Sequence, residues 1–264
     1  MYKAFYGFSG VPFSKDIKSC DLFIHNYFKE LLSRFDYIKK YRGIMLVTGS
    51  PGVGKTTALR YWLDDLRTES FFKVYIPLST VGIIDFYRQL NDKLNGEYVS
   101  MKSKLFKSIQ QRILELSSNQ NRIPVIVIDE CHFLKNENFF ELQILLNFKM
   151  DSHDPAIFIL SAQSHLNDRL QRTILKSFNQ RIAIKYHILP LDFSELKDYI
   201  AHNLKLNGAS SDIFSPPAYK AIFNISQGIL RNAGKLVIKT LTFGAINKKQ
   251  TISEEDVLTA SKEL

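Results

Sequence analysis

The chain of 264 residues is 45% hydrophobic and 23% charged, with a formal net charge of +9. These proportions exclude a disordered protein, and the length allows a large domain that carries a small one. Two cysteines, Cys20 and Cys131, cannot build a disulfide framework and lack the spacing of a zinc site. No run is apolar for long enough to span a membrane, so we expect a cytoplasmic protein, and its positive charge favours an anionic partner such as nucleic acid.

In the first 189 residues, short apolar runs alternate with segments of helical spacing. The runs predict buried parallel strands at 44–48, 74–78, 125–128, 156–160 and 182–188. The segments between them predict helices at 55–66, 83–94, 103–116 and 138–148. This order is typical of an α/β domain with three layers, in which helices cover a parallel sheet.

Strand signals stop after residue 189, and helical spacing continues to the end of the chain. Helices are predicted at 194–204, 216–224, 230–246 and 253–262, the last with a capping serine, Ser253, followed by acidic residues. We therefore expect a nucleotide-binding domain with an N-terminal extension at 1–189 and a small helical domain at 190–264.

A glycine-rich run joins the first predicted strand to the first predicted helix. It reads Gly49, Ser50, Pro51, Gly52, Val53, Gly54, Lys55, Thr56 and Thr57. The run fits the phosphate-binding pattern G-x-x-x-x-G-K-[ST] in its required strand–loop–helix context, and the alternative is a glycine-rich turn with an unrelated lysine. Its amides would surround phosphates, Lys55 would reach the β- and γ-phosphates of ATP, and Thr56 would hold Mg²⁺.

Two adjacent carboxylates, Asp129 and Glu130, follow the third predicted strand. Together with the phosphate loop they predict a site that hydrolyses ATP, with Asp129 at Mg²⁺ and Glu130 as the base that polarises the attacking water. A solvated turn is the alternative. Guanine-binding GTPases and ABC transporter subunits fit poorly, because neither Asn-Lys-x-Asp nor Leu-Ser-Gly-Gly-Gln occurs.

Several short motifs along the chain resemble those of ExeA-like AAA+ ATPases. They lie at 5–8 with 12–13, 129–134, 160–166, 179–182 and 228–231, with Ala162 where the group has glycine and Leu230 where it has proline. The resemblance implies the AAA+ fold, in which a helical lid follows the sheet domain. Short members of this group are similar to transposition helper ATPases of the TniB, TnsC and IstB type. Such a resemblance implies a homo-oligomer, as a ring or filament, that loads on double-stranded DNA and recruits or activates a transposase.

The resemblance also implies roles for single residues. Gln163, with Ser161 as the alternative, would be the polar sensor beside the γ-phosphate. Arg231 would be the lid arginine that contacts phosphate. Arg181 would be the arginine finger that reaches a neighbouring subunit's nucleotide, with Arg169 and Arg172 as competitors. A plain strand-end amide and surface arginines remain the alternatives.

Other residues carry weaker signals. Lys102, Lys104 and Lys107 lie between the second and third predicted strands and are candidates for DNA phosphate contacts, with a solvated helix face as the alternative. We interpret His132 as a packing or surface residue. We interpret the aromatic residues Phe8 and Phe13 as core residues, with a place in the wall of the adenine pocket as the alternative.

The function that we predict is an ATP-dependent, DNA-binding ATPase of a mobile element. One rival is a nucleotide-gated protein scaffold that turns over little ATP. The other rival is an ATPase of the initiator or helicase-loader type.

Overall fold

The computed structural model describes residues 2–77, 80–209 and 213–262. Its contacts divide the chain into two compact units. The sheet unit comprises Phe28–Gly49 and Lys55–Ile188. The helical unit comprises Met1–Tyr27, Ser50–Gly54 and Leu189–Leu264. The chain therefore passes from the sheet unit to the helical unit and back within the glycine-rich loop.

Five parallel strands form the sheet, in the order β2-β3-β4-β1-β5. Their bounds are β1 (Gly43–Gly49), β2 (Phe71–Ile76), β3 (Ile123–Ile128), β4 (Ile157–Ala162) and β5 (Ile182–Ile188). The three central strands are buried along almost their whole length, which explains their unbroken apolar runs. All five predicted strands are confirmed with small shifts at their ends, and residue 78, the predicted end of the second, lies outside the described residues.

The helices of the described chain flank this sheet or form the helical unit. In chain order they are α1 (Tyr2–Tyr6), α2 (Asn26–Tyr41), α3 (Lys55–Asp65), α4 (Ile83–Lys93), α5 (Lys102–Leu114), α6 (Asn136–Leu145), α7 (His165–Gln171), α8 (Lys176–Gln180), α9 (Phe193–Leu206), α10 (Pro216–Ser226), α11 (Leu230–Ile246) and α12 (Glu254–Ser261). Within the described residues, none of them combines the length and apolar character that crossing a membrane requires. Helix α2 was not predicted, although its buried Phe28, Leu31, Phe35 and Ile38 follow helical spacing.

The core of the sheet unit lies on both faces of the sheet. Leu46, Ile126 and Phe158 belong to one apolar cluster together with side chains of α4, α5 and α6. Their strand neighbours Met45 and Val127, which point to the opposite face, are also fully buried. Both faces are therefore covered, as the predicted three layers require.

The helical unit has a separate core made by α9 to α12. Capping boxes begin α9 at Asp192 and α12 at Ser253, and the second of these was predicted. Phe8 is buried in this core, and the Tyr6 hydroxyl donates to the Lys249 carbonyl at 2.7 Å. These contacts explain why the N-terminal segment groups with the C-terminal helices, whereas we had expected it with the sheet domain.

Candidate functional site

Three of the predicted site segments follow the carboxyl ends of β1, β3 and β4. The glycine-rich loop leaves β1 after Gly49, Asp129 follows β3, and Gln163 follows β4. These strands are parallel neighbours in the sheet, so their carboxyl ends meet at one edge. In open α/β sheets this edge is where ligands bind.

The glycine-rich loop has the backbone conformation that its pattern predicts. Gly52 and Gly54 adopt positive φ values of 87° and 101°, a region that disfavours side chains. Lys55 is the first residue of α3, and its buried Nζ donates to the Gly49 carbonyl at 2.9 Å. A loop of this kind directs amide groups and a lysine toward an anion at a helix N-terminus.

Arg231 contacts the loop within the helical unit. The Arg231 N–H donates to the Gly52 carbonyl at 3.1 Å. A Cβ atom added at Gly52 would lie 2.8 Å from the Arg231 Cβ, closer than real Cβ atoms approach. Arg231 is the second residue of α11, and its side chain is exposed. The backbone of the predicted lid arginine thus packs directly on the predicted phosphate loop.

Asp129 accepts hydrogen bonds from two hydroxyl groups. The Thr56 hydroxyl lies 2.8 Å and the Tyr75 hydroxyl 2.9 Å from Asp129 Oδ2, and Asp129 itself is buried. Burial, followed by the charge and hydrogen bond of Asp129, raises the pKa of Tyr75 well above its usual value, so Tyr75 remains a donor. The structure therefore brings together the two predicted Mg²⁺ ligands and adds Tyr75, which the sequence analysis missed.

Glu130 has an unusual backbone conformation. Its φ of 50° and ψ of 33° are left-handed, which costs a residue with a side chain on the order of 1–3 kcal/mol. Strained backbone of this kind persists at positions where the surrounding structure enforces it, and these positions are frequent in active sites. The Glu130 side chain is 44% exposed, so a water molecule can reach it.

His132 contacts both neighbouring segments of the site. Its side chain is only 3% exposed, and its Nδ1 lies 3.4 Å from Glu130 Oε2 and 3.4 Å from the Gln163 backbone nitrogen. Burial lowers the pKa of His132, so the ring is neutral near pH 7. The sequence analysis favoured packing for this residue, and no local signal separates a packing histidine from one that touches the predicted base.

Gln163 and Ser161 differ in their access to solvent. Gln163 is partly exposed at the carboxyl end of β4. Ser161 is fully buried within β4, and its hydroxyl has no hydrogen-bond partner among the described residues. Gln163 is consequently the better placed of the two for contact with a bound phosphate.

Arg181 lies at the opposite edge of the sheet, where β5 begins. Its guanidinium donates to the Gln143 carbonyl at 3.0 Å and pairs with Asp151 at 2.7 Å. Because the strands are parallel, the amino end of β5 and the carboxyl ends of β1 and β3 are on opposite edges of one sheet. Arg181 is therefore far from the phosphate-binding edge of its own sheet.

The two competing arginines differ in their contacts. Arg169 donates to the carbonyls of His132 and Leu134 and to the Asn136 side chain. Its guanidinium thus holds the segment that follows the acidic pair, and it is unsuited to reach another subunit. Arg172 is exposed at the end of α7 and stays an alternative to Arg181.

The remaining predicted residues lie outside this edge. Lys102, Lys104 and Lys107 are exposed on the first turns of α5, and Lys102 pairs with Glu141 at 2.5 Å. Phe8 is in the helical core, as favoured, and Phe13 packs edge-on against Tyr199 at that core's margin.

Residues 38–170, half of the chain, match the model of the AAA domain family. Over its whole length the chain is 28% identical to general secretion pathway protein A of Aeromonas hydrophila. It spans 48% of that relative, so about half of the relative's length has no counterpart here.

Solved structures that share the fold include two proteins of Aeropyrum pernix. The ORC2 protein of Aeropyrum pernix, in ADPNP–ADP complexes, has a TM-score of 0.70 and 14% identity over 95% of this chain and 71% of that chain. The ORC1 protein of the same organism, in complex with DNA, has a TM-score of 0.67 and 14% identity over 95% of this chain and 68% of that chain. At such low identity the likeness shows the fold alone.

Proposed function

The chain belongs to the AAA domain family, and we propose that it is a cytoplasmic ATPase that assembles on double-stranded DNA and recruits or activates a transposase. The observation that supports ATPase activity is that Thr56, Asp129 and Glu130 lie with Lys55 at one edge of the sheet. A phosphate loop alone would support nucleotide binding. An acidic pair that is hydrogen-bonded to Thr56 through Asp129 supports hydrolysis as well.

The residues present fit Mg²⁺ as well as ATP. The Thr56 hydroxyl and the Asp129 carboxylate supply hard oxygen ligands that lie within 2.8 Å of each other. Mg²⁺ is commonly bound by one or two such protein groups together with the phosphates of its nucleotide. When bound, the ion would neutralise charge on the transferred phosphoryl group.

The chain's own residues divide the work of hydrolysis. Lys55 binds the β- and γ-phosphates, and the loop amides orient them. Glu130 accepts the proton of the attacking water, since its carboxylate is accessible and lies next to the Mg²⁺ ligand Asp129. Gln163 orients the γ-phosphate or the water from the end of β4. Arg231 reports nucleotide to the helical unit through its backbone contact with Gly52.

The position of Arg181 supports an oligomer. At the amino edge of the sheet Arg181 is unsuited to its own site, so a role as a finger requires the site of a neighbouring copy. A finger that a neighbour supplies makes hydrolysis depend on assembly. An isolated subunit is then a poor enzyme.

Support for DNA as the partner comes from charge and from fold. Lys102, Lys104 and Lys107 are exposed on the first turns of α5, and the net charge is +9. Contacts of lysines with DNA phosphates are independent of base sequence. The Aeropyrum pernix ORC1 protein, which has the same fold, was solved in complex with DNA. The transposase rests on the resemblance of the sequence motifs to the helper ATPases.

An initiator-type ATPase is the second candidate, because the fold is shared with the ORC1 and ORC2 proteins. A nucleotide-gated protein scaffold is the third. The initiator and the helper both bind DNA, whereas the scaffold does not. A purified transposase encoded beside the gene distinguishes the initiator from the helper. Only the helper should retain that transposase on DNA in the presence of ATP.

Two variants test the ATPase. Lys55→Ala should weaken ATP binding in calorimetry, because it removes the lysine that reaches the phosphates. Glu130→Gln should bind ATP with unchanged affinity. Its rate of hydrolysis should fall by on the order of 10²-fold or more, because an amide cannot accept the proton. Unchanged ATP affinity of the first variant, or unchanged turnover of the second, contradicts the assigned site.

A titration of labelled duplex DNA tests the partner. Binding should need ATP or a non-hydrolysable analogue and should weaken steeply with salt. The double variant Lys104→Ala/Lys107→Ala should reduce the slope of log K against log salt by about 0.9 for each DNA phosphate that the protein no longer neutralises. The matched control is Lys220→Ala/Lys235→Ala, which removes the same charge from exposed positions on α10 and α11. No binding by wild type under any condition would support the scaffold instead.

A further inference from the structure

His132 has one nitrogen placed between two groups of the site. Its Nδ1 is 3.4 Å from the carboxylate of Glu130 and 3.4 Å from the backbone nitrogen of Gln163. The first group is an acceptor of hydrogen bonds and the second is a donor. His132 is thus the side chain through which the end of β3 and the end of β4 meet.

The two contacts exclude each other. When Nδ1 carries the proton, it can donate to Glu130, and the Gln163 N–H has no acceptor there. When Nε2 carries the proton, Nδ1 presents a lone pair that accepts from Gln163 and repels the Glu130 carboxylate. A neutral imidazole has one of these forms at a time.

Nothing on the other side of the ring fixes the choice. Nε2 is buried and has no hydrogen-bond partner among the described residues. The ring itself is held between Phe133, at 4.1 Å between centroids, and His165, at 5.0 Å. Because burial lowers the pKa of His132, the ring stays neutral, and its two states differ in tautomer and not in net charge. Lys55, Asp129, Glu130 and His165 are the charged or titratable groups that act on it.

We infer that His132 is a positioning residue that links Gln163 to Glu130, and that its two tautomers hold and release the Glu130 carboxylate. The tautomers interconvert when one nitrogen loses a proton to water and the other gains one from water, which reaches the buried Nε2 when the surrounding segments move apart. A shift of the β4 end toward bound phosphate would take the Gln163 N–H away and favour the tautomer that holds Glu130. This inference rests on the proposed role of Glu130 as the base.

Two substitutions at His132 separate positioning from packing. His132→Phe keeps a ring of similar size and removes both contacts of Nδ1, the hydrogen bond from Gln163 and the approach to Glu130. His132→Asn places an acceptor and a donor on Cγ, where the imidazole has Nδ1, so it can serve Gln163 and Glu130. We expect His132→Phe to lower kcat about 10-fold or more, with ATP affinity unchanged, because the base is no longer oriented. His132→Asn should recover most of that loss despite its smaller size.

Combining variants tests whether the effect passes through Glu130. In a Glu130→Gln background, His132→Phe should add no further loss, since residues that act as a unit are not additive. A purely structural His132 predicts the reverse: losses that follow the melting temperature, that asparagine does not recover, and that add to those of Glu130→Gln. Any of those three outcomes overturns the inference.

A readout without turnover keeps the inference testable if hydrolysis fails. The ¹⁵N shifts of the His132 ring report which nitrogen is protonated. Glu130→Ala removes the acceptor of the Nδ1–H form, so its ring signal should move toward the Nε2–H tautomer. An identical signal in wild type and Glu130→Ala overturns the link between the two residues. Absence of hydrolysis by wild type, together with a changed signal, would instead refute the proposed ATPase and leave the contact standing.

Discussion

Replacing Arg181 by alanine should abolish hydrolysis in the assembled protein without unfolding the chain. Among the described residues, the Arg181 side chain donates a hydrogen bond to the Gln143 carbonyl and pairs with Asp151, whose side chain is 57% exposed. Contacts of this kind contribute together about 1–2 kcal/mol. A domain has on the order of 5–15 kcal/mol of stability, so nearly all of the variant stays folded. A finger contributes on the order of 10³-fold or more to phosphoryl transfer, which is far beyond what such a loss of stability explains.

Mixing two inactive variants is the assay. Arg181→Ala retains a sound phosphate loop, and Lys55→Ala retains a sound finger. If Arg181 acts across an interface, a mixed interface can pair the intact loop with the intact finger, and ATPase activity reappears. Neither variant should be active alone.

Asp151→Asn is the matched control, because it weakens the same ion pair while it leaves the arginine in place. It should lower the melting temperature by no more than Arg181→Ala does, about 2–4 °C for each kcal/mol, and should keep its hydrolysis. The reasoning is refuted if native mass spectrometry shows mixed oligomers and no activity returns. Arg172 would then be tested in the same way.

Two further predictions concern the loop and the stability of the helical unit. Gly52→Ala should weaken nucleotide affinity in calorimetry, because its φ is positive and the new Cβ would meet Arg231 at 2.8 Å; Gly82→Ala, where nothing lies within 4 Å, is the control and should bind as wild type does. Asp256→Asn should lower the free energy of unfolding at pH 7 by about 1–3 kcal/mol. Burial raises the pKa of Asp256, but its hydrogen bonds with Lys249 and Ser253 outweigh this effect and lower the pKa below its usual value. The stability that the carboxylate contributes is present above the unfolded pKa near 3.9 and is lost as the pH falls. In urea unfolding, the difference in free energy of unfolding between variant and wild type should therefore narrow below about pH 4. A difference that stays constant with pH would contradict this prediction.

The parts of the site that the sequence predicted are those with local signals. A strand, a loop with required glycines and a helix follow one another directly in the sequence around Lys55, and the acidic pair directly follows an apolar run. Helix α2 has an equally local signal in the spacing of its apolar residues, so it could have been predicted from the sequence.

The parts that the sequence did not predict depend on contacts between distant segments. Tyr75 donates to Asp129 across 54 residues, and nothing near Tyr75 marks it as a polar partner. Arg169 competes with Arg181 as a finger in the sequence, and only its three acceptors near His132 set it apart. Residue types and spacing predict which chemistry is present, whereas only the topology shows which side chains meet.

The placement of Arg181 has a consequence for assembly. The phosphate loop leaves the carboxyl edge of the sheet at Gly49, and Arg181 stands at the amino edge. If the finger serves a neighbouring site, the interface joins two different surfaces of identical subunits and is therefore heterologous. A heterologous interface either closes into a ring or continues as a helical filament, and an open pair of subunits joined by one such interface leaves one of its two sites without a finger. In a filament, every site except the terminal one has a finger, so the rate per subunit should rise with protein concentration toward a plateau. A rate per subunit that is constant from nanomolar to micromolar protein, with monomers in sedimentation, would exclude both assemblies and with them a finger supplied in trans.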